Sequence, residues 1–201
     1  MAVGIVTASC APRGLALQET HVARQTFGLY KGRIEEGEEK PRRFRLLLYA
    51  DLPDRVHGEV LSPLGTSLLI VDGGAGRLAV TFAREGESFV GPSTAEDLGR
   101  ILGVRLGLHE LVRALLSGVC NSADYRLERS DDPVPGLPRM LSIRGAASSL
   151  TLELRRLRPV AADPAALGTG RPPSGTTVRP LSDLAPADPR LRQLTTTESG
   201  P

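Results

Sequence analysis

Apolar and polar residues alternate through much of the N-terminal half of this chain. Runs in which every second residue is apolar predict β-strands, because successive side chains of a strand point to opposite faces. Gly, Pro and acidic residues separate these runs, so we expect about six sequential strands in an antiparallel meander. The predicted strands are 21–34, 42–50, 56–60, 66–71, 78–82 and 88–91.

The period of the pattern changes after the last of these strands. Ser93 followed by Glu96 is a capping-box sequence, so we expect a helix that has Ser93 as its N-cap and ends at Gly103. A second amphipathic helix follows and ends at Gly118, because its leucines recur at helical spacing. The apolar positions of the two helices are Leu98, Ile101, Leu102, Leu108, Leu111, Val112, Leu115 and Leu116.

The C-terminal half returns to strand patterns, at 123–129, 139–144, 149–158 and 176–181, with a turn of helix at 162–167. Each helix is apolar on one face, and the inner face of the sheet is the large apolar surface that can cover both. We therefore expect a mainly β fold, an unclosed antiparallel β-barrel with short α-helices as a lid over an apolar cavity. This half-barrel domain is expected to span 21–182, and 183–201 to form a disordered tail.

The same alternation predicts which side chains face the cavity. From the strands they are Leu46, Leu48, Val60, Leu68, Val80 and Phe82, and from the helices Leu98, Leu102, Leu111 and Leu115. Plain core packing is the alternative for each position, because both environments select apolar residues.

Composition and motifs argue against several function classes. The net charge of +2 gives no electrostatic reason to expect nucleic acid as a partner, and no apolar run is long enough to span a membrane. The histidines, His21, His57 and His109, have no metal-ligand spacing, and the sequence contains no nucleophile-elbow, phosphate-loop or dinucleotide motif. We expect a protein that is not an enzyme and uses neither a metal nor a cofactor, and we expect it to be a monomer.

The turn Ser62-Pro63-Leu64-Gly65 between two predicted strands carries a leucine at its tip. Pro63 fixes φ and Gly65 permits a left-handed backbone, so the turn geometry is well specified. A leucine at this place indicates either an element that covers it or contact with something apolar.

Cys10 follows the apolar and small residues of the segment 5–9, a pattern similar to the lipid-attachment site of bacterial lipoproteins. Residues 1–9 contain no basic residue and are short for a signal peptide, so they are either a truncated remnant of one or the end of a longer one. Residues 10–20 then link the lipidated cysteine to the domain. The alternative is an ordinary N-terminal cysteine.

Residues 54–128 resemble the LolA/LolB lipoprotein-localisation family, and in particular its outer-membrane receptors, LolB. The resemblance depends on the order and spacing of the apolar turn, the hairpin strands and the two helices that end in glycine. The matching segments are 54–55, 61–65, 92–98, 101–103, 111–116 with Gly118, and 123–127. The family has an unclosed β-barrel fold.

The resemblance implies a role in lipoprotein transport. Leu64, between Pro63 and Gly65, maps onto the family's protruding apolar loop, which helps to place cargo in the membrane, and Cys10 maps onto its lipidated cysteine. The implied partners are acylated lipoprotein cargo, a LolA-like periplasmic carrier and outer-membrane lipid. The implied location is the inner leaflet of the bacterial outer membrane, facing the periplasm.

Two other functions remain open for the same fold. One is an envelope lipoprotein that scaffolds other proteins and has a filled core. The other is a soluble LolA-like lipid carrier that has no anchor.

Overall fold

A sheet of ten strands dominates the part of the chain that the structure describes. The structure is a computed structural model, and it describes residues 25–130, 137–158, 166–185 and 188–193. The strands are β1 (Gln25–Glu36), β2 (Arg42–Asp51), β3 (Arg55–Leu61), β4 (Ser67–Gly74), β5 (Arg77–Phe82), β6 (Glu87–Pro92), β7 (Arg126–Arg129), β8 (Met140–Arg144), β9 (Ser148–Leu157) and β10 (Thr177–Pro180). The helices are α1 (Ala95–Leu102), α2 (Leu108–Ser117) and α3 (Pro189–Gln193), with a short 3-10 helix at Leu181–Asp183.

The sheet is open at both ends of the strand order. Its strands lie in the order β10-β6-β5-β4-β3-β2-β1-β9-β8-β7, so β10 and β7 are edges that do not pair with each other. The prediction of a mainly β, unclosed fold with short helices is confirmed. The prediction of a wholly antiparallel sheet is wrong at one edge, because the chain returns there after β9 and β10 runs parallel to β6.

Large side chains pack directly on the inner face of the sheet, the face that the helices cover. Helix α2 lies against β2 and β3. A Cβ on Gly73 of β4 would lie 3.1 Å from the side chain of Leu108 at the start of α2, and one on Gly32 of β1 would overlap the ring of Phe44. Glycine at these positions therefore brings the leucine and the phenylalanine close to the backbone.

The caps of the helices fix their lengths. The prediction of Ser93 as N-cap of α1 is wrong: Thr94 holds that position, and its Oγ1 accepts a hydrogen bond of 3.1 Å from the N–H of Asp97. The predicted ends are confirmed, since Gly103 and Gly118 cap α1 and α2 with φ of 74° and 64°.

The C-terminal segment packs on the fold instead of trailing from it. The prediction of a disordered tail over 183–201 is wrong for 183–185 and 188–193, where Leu184 and Leu191 are 2% and 5% exposed. The physical reason is that these leucines cover apolar sheet surface that α1 and α2 leave bare. Residues 186–187 and 194–201 lie outside the described residues, as does most of the helical turn predicted at 162–167.

Asp72 on the outer face of β4 holds the segment that leads to β10. Its carboxylate accepts hydrogen bonds of 2.7–3.0 Å from the backbone N–H groups of residues 168–170. His57 on β3 lies beside it, with Nδ1 2.8 Å from Oδ2 of Asp72 and Nε2 3.1 Å from Oε1 of Glu59. These bonds attach the connection between β9 and β10 to the middle of the sheet.

The two carboxylates keep His57 protonated. Burial alone lowers the pKa of His57, but hydrogen bonds to Asp72 and Glu59 and the charges of both carboxylates outweigh it and raise the pKa from 6.5 to about 9. Burial raises the pKa of Asp72, yet the hydrogen bonds from His57 and the backbone leave it below its ordinary value. The cluster is therefore a cation between two carboxylates at neutral pH.

We expect the free energy of unfolding to fall as the pH rises from 6.5 towards 9. The pKa of His57 in the folded protein is about 9, above the 6.5 of the unfolded chain, so its stabilisation is complete below pH 6.5 and is lost as the pH rises through 9. At about 1.4 kcal/mol per unit, the loss is on the order of 3 kcal/mol. Urea unfolding at a series of pH values, followed by circular dichroism, measures it.

The matched control is the exposed histidine on α2. His57→Gln should flatten the pH profile in this range, whereas His109→Gln should leave it unchanged, because His109 faces solvent. A profile of equal steepness in His57→Gln and the wild type would contradict the assignment.

Candidate functional site

An apolar cavity of about 80 Å³ lies between the inner face of the sheet and the helices. It is surrounded by side chains from β1 to β4, from β9 and from all three helices. The lining residues are Ile34, Arg42, Phe44, Leu46, Leu48, Val56, Gly58, Val60, Leu69, Val71, Leu98, Ile101, Leu102, Leu111, Leu115, Leu150, Leu152 and Leu191. Such a surface favours apolar groups and offers few hydrogen bonds to a polar ligand.

Most of the side chains predicted to face the cavity lie in its lining. These are Leu46, Leu48, Val60, Leu98, Leu102, Leu111 and Leu115. Both helices and the strands β2 and β3 therefore meet around one space, as the alternation indicates.

Leu68 lies outside this lining, and Leu69 takes the place predicted for it. The register between β3 and β4 shifts here, because Val60 pairs with Leu69 whereas the next residue, Leu61, pairs with Ser67. The extra residue in β4 is a β-bulge, which changes the face on which the following residues lie. A simple count of alternating positions cannot locate such a bulge.

Val80 and Phe82 also lie outside the lining, although they are on the inner face. Val80 is fully buried in the core. Phe82 packs edge-on against Phe89, with ring centroids 6.0 Å apart, and lies under the guanidinium of Arg190 at 4.0 Å. At these two positions the alternative of plain core packing describes the structure.

The C-terminal helix α3 supplies one wall of the cavity through Leu191. Its neighbour Arg190 pairs with Glu87 at 2.6 Å and with Asp188 at 2.7 Å, and stacks on Phe82. Three kinds of contact, ionic, hydrogen-bonded and cation–π, thus hold a helix of five residues in place. Leu191 is not predicted as a lining residue from the sequence, because the segment around it is rich in Pro and polar residues.

Arg42 is the one charged residue among the lining residues in the described part of the chain. Its Nη2 lies 2.7 Å from Oε1 of Glu36, and its Nη1 donates to the carbonyl oxygen of Leu191 at 3.3 Å. Its side chain is 14% exposed. The sequence does carry a signal for it, since the inner-face positions of β2 run 42, 44, 46 and 48.

The size of the cavity limits what it holds in this conformation. An engineered cavity of about 150 Å³ binds benzene, and the cavity here is about 80 Å³. A long apolar chain therefore requires it to widen. Helix α3, with five residues, is the shortest element of the wall in the described part of the chain.

The turn between β3 and β4 holds Leu64 away from the rest of the protein, with 93% of the residue exposed. Two backbone hydrogen bonds of 2.8 and 2.9 Å, donated by the N–H groups of Ser62 and Gly65, close the turn, and Gly65 has a φ of 86°. Nη1 of Arg45 donates to the carbonyl oxygen of Pro63 at 3.2 Å. The leucine is therefore presented on a defined turn, and no described residue covers it.

Among the other candidate residues, His57 has a structural role. His57 belongs to the cluster that holds residues 168–170, and among the described residues no group of His, Cys, Asp and Glu has the arrangement of a metal site. Cys10 and His21 lie outside the described residues. No helix in the described ranges is long and apolar enough to cross a membrane.

We expect Leu191→Ala to widen the cavity and to strengthen the binding of a small apolar ligand. Removing a buried leucine side chain leaves space that the surroundings fill only in part. Benzene or xenon should therefore stabilise the variant more than the wild type in thermal unfolding, while the unliganded variant loses about 2–5 kcal/mol of stability.

Leu184→Ala is the matched control for this change. Leu184 is in the same C-terminal segment and 2% exposed, but it is not part of the cavity lining. It should destabilise the protein without increasing the response to benzene. Equal responses in the two variants would show that Leu191 does not limit the cavity.

Comparison with known proteins gives this chain no assigned family. No family model matches it, and no curated protein matches it either. What the cavity and the turn can do follows from their geometry and chemistry.

Proposed function

We propose that this protein holds the acyl chains of lipoproteins in its apolar cavity and delivers them to the bacterial outer membrane, as LolB receptors do. One arrangement supports the proposal: β3 and β4 line the cavity through Val60 and Leu69 and continue into the turn that exposes Leu64. A single hairpin thus joins the apolar cavity to the apolar tip. The proposed activity requires no catalysis.

An apolar cavity solves the main energetic difficulty of lipoprotein transport. Exposing an acyl chain to water costs about 0.8 kcal/mol per methylene, so an ordinary chain costs on the order of 12 kcal/mol. Leucine, isoleucine and phenylalanine side chains make up most of the lining and replace water around such a chain. Because this burial does not depend on the protein part of the cargo, one cavity suits many lipoproteins.

Leu64 suits a transient contact with a bilayer. Burying one leucine in the membrane contributes roughly 1.5–3 kcal/mol, too little to anchor a protein permanently. A lipid at Cys10 would keep the protein at the inner leaflet of the outer membrane, and Leu64 would then insert only while cargo is released. A LolA-like carrier would supply the cargo on the periplasmic side.

A scaffold protein of the envelope is the second candidate. The small size of the cavity, about 80 Å³, favours it, because a filled core needs no room for a ligand. In that case no apolar ligand binds, and the wall formed by α3 stays closed.

We expect Leu64→Glu to impair delivery while leaving the fold and cargo binding intact. The side chain is 93% exposed, so the substitution removes no packing. Losing the insertion of one leucine should slow transfer by about 10- to 100-fold. The measurement follows a fluorescent triacylated lipopeptide from its complex with the protein into phospholipid liposomes.

Val178→Glu is the control for adding a carboxylate at an exposed apolar position. Val178 is 56% exposed on the edge strand β10, away from the turn. It should transfer lipopeptide at the wild-type rate. Delivery by Leu64→Glu at the rate of Val178→Glu would remove the role given to the turn.

We expect the mature protein from bacterial membranes to carry a lipid on Cys10. Mass spectrometry of the N-terminal peptide should show diacylglyceryl and acyl additions at this residue, and Cys10→Ala should release the protein from the membrane fraction. An unmodified Cys10 would favour the soluble carrier over the anchored receptor.

A further inference from the structure

The guanidinium of Arg42 stands at the end of an apolar row. The inner-face positions that follow it on β2 are Phe44, Leu46 and Leu48, all of which line the same cavity. Register pairs Arg42 with Ile34 of β1, another lining residue. An apolar side chain would complete this wall, and an arginine there instead needs a partner that compensates its desolvation.

Neither of the two partners that Arg42 has among the described residues is a buried carboxylate. Its side chain is 14% exposed, whereas Glu36, with which it pairs, is 36% exposed and remains partly in water. Its other hydrogen bond goes to the backbone carbonyl of Leu191, in the short helix α3. Arg42 is therefore the more buried member of its ion pair. On its other side it faces the cavity, whose remaining lining residues are apolar or glycine.

Glu36 is also poorly placed for a carboxylate. Its Oε1, the atom that pairs with Arg42, lies 2.6 Å from where a Cβ on Gly103 would stand. Gly103 is the C-cap of α1, and the C-terminal end of a helix carries partial negative charge that disfavours an anion. An anion that reaches Arg42 from the cavity side would avoid this end of the helix.

We propose that Arg42 binds the anionic head of an amphiphile whose apolar tail lies in the cavity, and that this head displaces Glu36. The ligand class is an acyl or alkyl chain that carries one carboxylate or phosphate. The inference rests on the proposed function only in requiring that the cavity accept an apolar chain, since the ester- and amide-linked acyl chains of a lipoprotein carry no such charge. It adds a second ligand class for the same cavity, free amphiphiles that carry one anionic head.

Arginine suits both head groups. A guanidinium donates parallel hydrogen bonds to the oxygens of a carboxylate or a phosphate, and these charge-assisted bonds are stronger than neutral ones. The exchange keeps one anion beside Arg42 at every stage, so the buried charge is never left alone. Glu36, once displaced, returns to water.

The test compares ligands that have the same tail and different heads. Isothermal titration calorimetry of the full chain at neutral pH would use 1-octanol, octanoate, octyl phosphate and inorganic phosphate. The wild type should bind octanoate and octyl phosphate at least about tenfold more tightly than octanol, because only the charged heads form charge-assisted bonds with Arg42. Inorganic phosphate, which has no tail, should not bind measurably.

Three variants assign the preference to Arg42. Arg42→Gln should lose the preference and bind octanoate no more tightly than it binds octanol. Glu36→Gln keeps the arginine and removes its competitor, so it should bind octanoate more tightly than the wild type does. Arg33→Gln removes the same charge from the outer face of β1, where Arg33 pairs with Glu35, and should match the wild type.

The outcomes separate this inference from the proposed function. Equal affinities of the wild type for octanol and octanoate, or a preference for octanoate that survives in Arg42→Gln, would overturn the inference alone. Tight binding of inorganic phosphate would show a simple anion site and would overturn it too. If neither octanol nor octanoate binds, the cavity takes no chain and the proposed function fails as well. Should Arg42→Gln not fold, Glu36→Gln still decides, since an unchanged affinity for octanoate in that variant contradicts the exchange.

Discussion

The apolar inner face of the sheet must be covered, and the two helices after β6 are too short to cover it. At 1.5 Å per residue, the 8 residues of α1 and 10 of α2 are about 12 and 15 Å long. A sheet of ten strands is more than about 40 Å wide. The C-terminal segment covers part of the remainder through Leu181, Leu184 and Leu191, and the space between these covers is the cavity.

Different contacts hold the two described parts of the C-terminal segment. Residues 168–170 are held by Asp72 through three backbone hydrogen bonds, and His57 supplies a counter-charge. Helix α3 is held by the contacts of Arg190, by the hydrogen bond from Arg42 to the carbonyl oxygen of Leu191, and by the buried side chain of Leu191. The described parts of the C-terminal polypeptide are thus attached to the sheet at residues 168–170 on the outer face and at α3 on the inner face.

The periodic helices and strands can be predicted well from the sequence. Positions that depend on contacts between residues far apart in the chain cannot. Alternation locates the inner face of β2 and β3, and glycines mark the ends of α1 and α2. The β-bulge in β4 places Leu69 instead of Leu68 in the cavity lining. It depends on the pairing between β3 and β4, which no local sequence pattern encodes. The role of Leu191 cannot be predicted for a related reason. Its segment has a composition typical of disorder, and Leu191 is buried because it packs on the apolar inner face of the sheet.

The hairpin that carries Leu64 and the strand that carries Arg42 meet at one end of the sheet. Arg45 pairs with Leu61 in the register of β2 and β3, so the first residues of β2 lie beside the turn, and the bond from Arg45 to Pro63 joins the two. If Arg42 binds an anionic amphiphile, the tail of that ligand lies in the cavity and its head lies beside the turn that exposes Leu64. In a bilayer the heads lie at the surface and the tails point inward, so a chain held in this order would have to turn as it passes from the cavity into the membrane.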